Sequence, residues 1–307
     1  MTQTVSAETL RIATWNGDFS RKGPGLLLRD LLRDDPVPGI ATLDAARADV
    51  LLLTDVDYDA GLVALKALQA RLANPFEHLF ALRPNTGMPT GVDIDGDGLL
   101  GGPRDAQGYG WFSGQGGMAI LSRHPITLRA DYADMLWKDL PGTAIAADDP
   151  AHALQLLSHG AHWAVDIAWG DEPLTLLTMA ATPPVFDGPD DRNGRRNADE
   201  LKIWRLWRDG AFGDVPPHPV ILIGKLNIDP DPSRGEGRRG EITAVLNDAR
   251  LQDPLSGIAT AEFERAGPMR INYVLPDARL RVTAAGVLPP EPGAGVHQLV
   301  WVDLGRP

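Results

Sequence analysis

Runs of apolar residues, bounded by turn-forming ones, divide the chain into short strands and helices. Val220–Ile223 is the clearest: four apolar residues closed by Gly224 and, a few residues on, by the turn pair Asp229-Pro230. It reads as a buried strand whose next side chains reach the rim of a sheet, where α/β proteins place polar chemistry. Lys225 and Asn227 lie there two apart, on one face of an extended chain. Leu10–Thr14 reads as a strand closed by Trp15-Asn16-Gly17, Gly25–Arg33 as a helix, and Asp44–Ala48 as part of a second short one. Ala48–Asp59 reads as a buried strand running into acidic residues, Leu62–Leu72 as an amphipathic helix, and Gly114–Arg123 as a Gly-rich approach to a strand. A loop with Trp137 fills Asp131–Pro150. Leu154–Ser158, Trp163–Trp169 and Leu174–Met179 then read as successive strands of an antiparallel second sheet. Asp199–Trp207 is a helix that packs its two tryptophans in the core; Gly240–Asn247 is another, and Met269–Leu275 and Gly295–Leu304 are closing strands. No repeat and no shift of composition marks a linker, so one domain over residues 1–307 is expected.

Composition narrows the classes. A hydrophobic fraction of 43% with 23% charged residues is ordinary for a soluble globular chain of 307 residues, long enough for a substantial core. Gly 33 and Pro 26 make about a fifth of it, which predicts many turns and long loops. The net charge of −12 argues against general binding of duplex DNA, which needs Lys and Arg to neutralise phosphates. A local basic patch could still serve a small anion. Without cysteine there is no disulfide, thiolate nucleophile or Cys-based metal site. No window approaches the roughly 18 apolar residues of a membrane helix, and the first residues show no charged region followed by an apolar one, so no signal peptide is visible. A chain trimmed to a mature form would look the same, which leaves the compartment open.

Two segments carry candidate chemistry of their own. In GVDIDGDGLLGGPRD, Asp93, Asp95 and Asp97 with Gly98 match positions 1, 3, 5 and 6 of a calcium loop. The twelfth position, normally Glu, is Arg104, so a complete EF-hand is excluded and Asp105 is the candidate late ligand for a structural Ca²⁺. In DRNGRRN, Arg192, Arg195 and Arg196 read as a turn able to hold an oxyanion bidentately. The competing reading pairs them with Asp187, Asp190, Asp191 and Asp199.

Several strand ends together resemble the endonuclease/exonuclease/phosphatase superfamily, the metal-dependent phosphodiesterases of deoxyribonuclease-I-like fold. GKLN (224–227) resembles its G-D-x-N, GMAILSR (117–123) its G-x-A-I-L-S-R, RINYVL (270–275) its R-x-D-Y-V-L, and GVH (295–297) its S-D-H. AATPPVFDGPDDRNGRRN is similar to a segment of a bacterial branch that carries His before T-P-P. The resemblance spans Arg11 to Leu304 and implies an α/β (α+β) fold, a four-layer α-β-β-α sandwich. It also implies a Mg²⁺-type hydrolytic site whose remnant here is Asn16, Asp55, Asn227 and His297, with Asp57 as the alternative to Asp55 in place of a metal-binding Glu.

Four expected groups are replaced: His by Ala180, and Asp by Lys225, Asn272 and Val296. Single catalytic groups are worth about 10² to 10⁴ in rate. Like charges about 4 Å apart repel by roughly 4 kcal/mol at an effective dielectric of 20, so Lys225 and a divalent cation should exclude each other. The expectation is a catalytically impaired protein without catalytic Mg²⁺, its Lys225 ion-paired with Asp55 or Asp57. Lys225, Arg192, Arg195 and Arg196 would then bind an anion, a phosphorylated small molecule or a protein partner. The alternative is an active phosphoesterase with rearranged ligands, using Asp55, Asp57 and His297.

Overall fold

The computed structural model describes residues 9–213 and 215–305, so the reading of the first eight residues lies outside it. Its strands are β1 (Thr9–Phe19), β2 (Val50–Val56), β3 (His78–Phe80), β4 (Gly117–Ser122), β5 (Ile126–Asp131), β6 (His162–Trp169) and β7 (Glu172–Ala180). After them come β8 (Val220–Lys225), β9 (Ala261–Phe263), β10 (Gly267–Met269), β11 (Asn272–Pro276), β12 (Arg281–Leu288) and β13 (Leu299–Gly305). Helices α1 (Leu26–Leu31), α2 (Ile40–Ala46) and α3 (Val63–Ala70) fall in the first third, α4 (Arg192–Arg208) and α5 (Gly240–Leu246) in the last.

Two sheets stack face to face. One runs β12-β13-β1-β2-β4-β3 and the other β11-β8-β7-β6-β5, while β9 and β10 form a separate hairpin. The pleat explains the layering, because successive side chains alternate faces. Val50 and Leu52 join Ile221, Ile223 and Leu176 in the core between the sheets. Leu51 and Leu53 point outward onto Leu27, Leu43, Leu65 and Leu68 of α1 to α3. On the other side Leu222 and Leu177 meet Leu201, Trp204 and Trp207 of α4 and Ile242 of α5. The result is the expected α-β-β-α sandwich.

Several local readings change. Leu154–Ser158 is not a strand: the buried Gln155 donates its amide to the Gln107 carbonyl at 2.7 Å and fixes an irregular segment. β1 continues through Asn16 and Gly17 instead of closing there. The proposed arginine turn is the first turn and a half of α4, so that helix starts seven residues before the sequence reading put it. Met269–Leu275 is split between β10 and β11. Strands β5 and β12 escape hydrophobic patterning because most of their residues are only partly buried or exposed. Among the described residues no helix is long and apolar enough to cross a membrane.

Candidate functional site

The strand ends β1, β2, β7, β8 and β11 converge on one edge of the sandwich. Ala180 and Lys225 are register partners in the parallel pair β7–β8, and Asn272 is the partner of Lys225 in the antiparallel pair β11–β8. Three of the replaced positions therefore form one row across the second sheet. Gly224, at φ 137°, lets β8 lie against β7: a Cβ there would sit 2.0 Å from the Met179 carbonyl oxygen. Beyond Lys225 the chain turns, and Asn227 adopts φ 59°. Its side chain therefore does not share a strand face with Lys225; its amide donates to the Ala181 carbonyl at 2.6 Å.

Facing this row, β2 bulges. Thr54 pairs with Met118 and Val56 with Gly117, so Asp55 is an extra residue with no partner on β4, held at φ 62°. Non-glycine residues in that region carry strain that recurs at functional sites. Gly116 makes room, since a Cβ on it would lie 2.8 Å from Asp55 Oδ1.

Asn16 joins the two sheets. With its amide oriented to satisfy every neighbour, the oxygen accepts from Lys225 Nζ at 3.2 Å and His297 Nε2 at 3.3 Å, and the nitrogen donates to Asp55 Oδ2 at 3.3 Å. The expected direct ion pair is thus replaced by an amide bridge: Lys225 and Asp55 feel each other's charge through Asn16. Burial lowers the Lys225 pKa and raises that of Asp55, while each group's charge opposes the other's shift. Asp57 stands apart. Its carboxylate accepts from the Arg21 amide at 2.9 Å and the Gly116 amide at 3.1 Å, and burial pushes its pKa up to about 6.

His297 is held by its backbone and by both ring nitrogens. The Trp15 indole donates to its carbonyl at 2.9 Å, and Phe263 packs edge-on against the ring. Asn272 donates from Nδ2 to the Thr260 carbonyl at 3.3 Å, which fixes its orientation. The same NH₂ group lies 3.1 Å from His297 Nδ1, which must then accept. The ring proton consequently sits on Nε2, pointing at Asn16. Burial, then the nearby Lys225 ammonium, lowers the His297 pKa to about 3. A neutral imidazole with Nε2 protonated is neither a base nor a charged acid toward the site.

Ala180 is buried in the core between the sheets, whereas Val296 is 42% exposed. The replaced positions therefore do not all line one pocket. The arginines also separate. Arg192 pairs with the buried Asp149 at 2.6 Å, an acid outside the expected set. Asp199 instead accepts from the Trp137 indole at 2.7 Å, and Asp191 pairs with Arg238 at 2.6 Å. Arg196 is buried and donates to the carbonyls of Gln107, Leu156, Leu157 and Ser158. Of these three, Arg195 alone has a guanidinium without a hydrogen bond or ion pair to any described residue.

Arg195 lines a cavity of about 1050 Å³ that also meets Arg192, Arg196 and His159. The sequence reading missed His159, a lone histidine in an irregular segment without a motif. Burial, then the charges of Arg196 and Lys225, lowers its pKa to about 3, which ties the cavity electrostatically to the Lys225 centre. Glu200 accepts from the amides of two lining residues, His159 and Thr182, at 2.6 Å each.

In the 93–105 loop, ligand oxygens of Asp93, Asp95 and Asp97 lie within 4.8 Å of one another. Asp105 does not join them: its carboxylate accepts from the Ile94 amide at 2.8 Å and the Gly102 amide at 3.0 Å. At the sheet edge the donor set is one carboxylate and one amide whose oxygen already faces an ammonium. Hard divalent cations take oxygen shells rich in carboxylate, which this set does not compose.

The sequence from residue 13 to 301 matches the model of the Endonuclease/Exonuclease/phosphatase family. No curated protein matches the chain. Among solved structures, an endonuclease/exonuclease/phosphatase from Beutenbergia cavernae superposes with a TM-score of 0.61 at 18% identity, over 97% of this chain and 72% of that one. A family protein from Bacteroides thetaiotaomicron gives 0.55 at 12% identity over 98% of each chain. One from Leptotrichia buccalis gives 0.53 at 14%, over 95% and 98%. At such identities the superpositions speak for the fold, and the match over nearly the whole sequence speaks for descent: this chain belongs to the endonuclease/exonuclease/phosphatase family.

Proposed function

We propose that this chain is a family member without phosphoesterase activity, in which the Lys225 ammonium takes the place of a catalytic divalent cation. It serves instead by binding a phosphorylated or otherwise anionic ligand, or a protein partner. The observation that carries the reading is the 3.2 Å contact between Lys225 Nζ and the Asn16 oxygen. That contact commits to an ammonium the amide oxygen best placed to face a cation, beside the one remaining carboxylate. The His297 tautomer supports the same reading, since a hydrolase needs a base there and the ring turns a proton toward the site. The decisive assay incubates the purified chain with a phosphodiester and a phosphomonoester in Mg²⁺, Mn²⁺ or Ca²⁺. Turnover that His297→Ala abolishes would falsify the proposal.

The second reading, an active phosphoesterase with rearranged ligands, draws on one feature. Asp55 remains in a strained bulge aimed at the site, and Asp57, with its pKa near 6, lies on the same segment. The same assay decides between the two. As a separate proposal, the Asp93, Asp95 and Asp97 cluster holds a structural Ca²⁺.

A further inference from the structure

The cavity beside α4 is chemically graded. Toward its depth stand Arg195, half-buried and without a hydrogen bond or ion pair though within the field of the Asp149 carboxylate, and the ring of His159, neither of whose nitrogens is hydrogen-bonded among the described residues. The two remaining deep cations are already committed, Arg192 to Asp149 and Arg196 to carbonyl oxygens. At the mouth stand three exposed acids, Asp95, Asp148 and Asp190, against one exposed cation, Arg104, together with two aromatic rings, Tyr109 at 54% and Phe186 at 80% exposure. Exposed aromatics beside a cavity are surface that a ligand's apolar body can cover.

From this gradient we infer that the cavity is a binding site for a small molecule bearing one anionic group on an apolar or aromatic body. The anion, a phosphate monoester or a carboxylate, is seated on Arg195 and His159, and the body lies against Tyr109 and Phe186. The assignment rests on the reading that the chain binds without hydrolysing. The guanidinium supplies a two-pronged donor for a planar or tetrahedral anion. The neutral imidazole supplies one further donor without adding charge. At the mouth Asp95, Asp148 and Asp190 outnumber Arg104, so a second anionic group meets net repulsion and polyphosphates and nucleic-acid strands are selected against. The site lies beside the Asn16–Lys225 centre and needs none of its hydrogen bonds.

The test is calorimetric titration of the whole chain with phenyl phosphate, benzoate, inorganic phosphate and ATP, with ³¹P NMR of the recovered phenyl phosphate. Expected are binding of phenyl phosphate or benzoate, the stronger of the two naming the anion, and intact ligand at the end. Arg195→Ala should weaken that binding about tenfold, the worth of one charge-assisted hydrogen bond. It removes no internal hydrogen bond, and its melting temperature without ligand checks the fold. Tyr109→Ser should weaken phenyl phosphate and leave inorganic phosphate unchanged. The inference is overturned if neither aromatic anion binds, if Arg195→Ala makes no difference, or if inorganic phosphate or ATP binds as tightly as the better aromatic anion. Release of phenol would overturn the non-hydrolytic reading instead and leave the binding site standing.

Discussion

Lys225 and Asn272 are register partners on β8 and β11, yet they serve opposite neighbours: the ammonium reaches Asn16, and the amide holds His297. One side chain thus puts a cation at the centre and the other sets where the imidazole proton sits. Each can be reversed separately, which makes their roles separable.

Lys225→Asp should restore room and charge for a cation but not hydrolysis. With Asp55 across the gap, the variant is expected to take up Mn²⁺ or Mg²⁺ measurably by calorimetry where the parent does not. Ala180, Asn272 and Val296 remain, and each missing group costs about 10² to 10⁴ in rate. A hydrolase recovered by this one change would refute the picture of distributed loss.

Asn272→Asp should move the ring proton of His297 from Nε2 to Nδ1 and raise its pKa from about 3, since a carboxylate would replace the donating amide. Long-range ¹⁵N NMR of the imidazole reads both. An unchanged tautomer would show that Asn272 does not set it.

Acid dependence should centre on Glu200. Its carboxyl is pushed up to about 7 by burial, against an ordinary 4.5, so between those values the folded chain holds a proton that the unfolded chain has released. That contribution to stability is full below about 4.5 and is lost as pH rises toward 7. Burial holds His159 and His162 near 3, and they act oppositely: they favour folding above their ordinary 6.5 and withdraw that support on acidification. Denaturant titrations of the parent and of Glu200→Gln from pH 4.5 to 7 should therefore converge at the acid end, where the neutral amide mimics the protonated carboxyl, and separate at the alkaline end, with the parent losing ground to the variant as pH rises. A constant difference would mean that Glu200 ionises normally in the fold.

Arg196→Leu should destabilise the fold by about 3–5 kcal/mol, the range for stripping one partner from a buried charged network. Four carbonyls would lose a donor, although those of Gln107 and Ser158 keep another from Gln155 and Asn85. Equilibrium unfolding measures it, and a loss under 1 kcal/mol would show that water replaces the guanidinium.

Calcium titration into the parent chain should release heat that Asp93→Asn with Asp95→Asn abolishes, leaving the rest of the fold unchanged by circular dichroism. A titration without heat would reduce the loop to a turn held by its own Asp93 contacts with the Gly96 and Gly98 amides.

Much of this was legible before any coordinates. Uninterrupted apolar runs such as VLLL (50–53) and VILI (220–223) are strands covered on both faces, and they announced the two sheets. What patterning hid was half-exposed or charged. ITLRAD (126–131) and RVTAAGVL (281–288) lie at sheet edges, where one face meets solvent. The polar start of α4, RNGRRN, looked like a turn because its helical face is built from ion pairs and carbonyl contacts in place of leucines. In the site, Asn16, Asp55, Lys225, Asn272 and His297 meet as strand ends foretold. The amide bridge, the left-handed backbone at Asn227 and the exposure of Val296 depend on distances that residue spacing does not encode.

The bulge in β2 has a topological corollary. Gly117 and Met118 are adjacent while their partners Val56 and Thr54 are not, and on the other side of β2 the pairing with β1 shifts between Asn16 and Phe19 at the same place. The carboxylate's entry into the cleft is thus written into two ladders at once, so removing Asp55 would leave β1 with unmatched residues beside Asn16, and the polar centre cannot be erased without rebuilding the neighbouring strand.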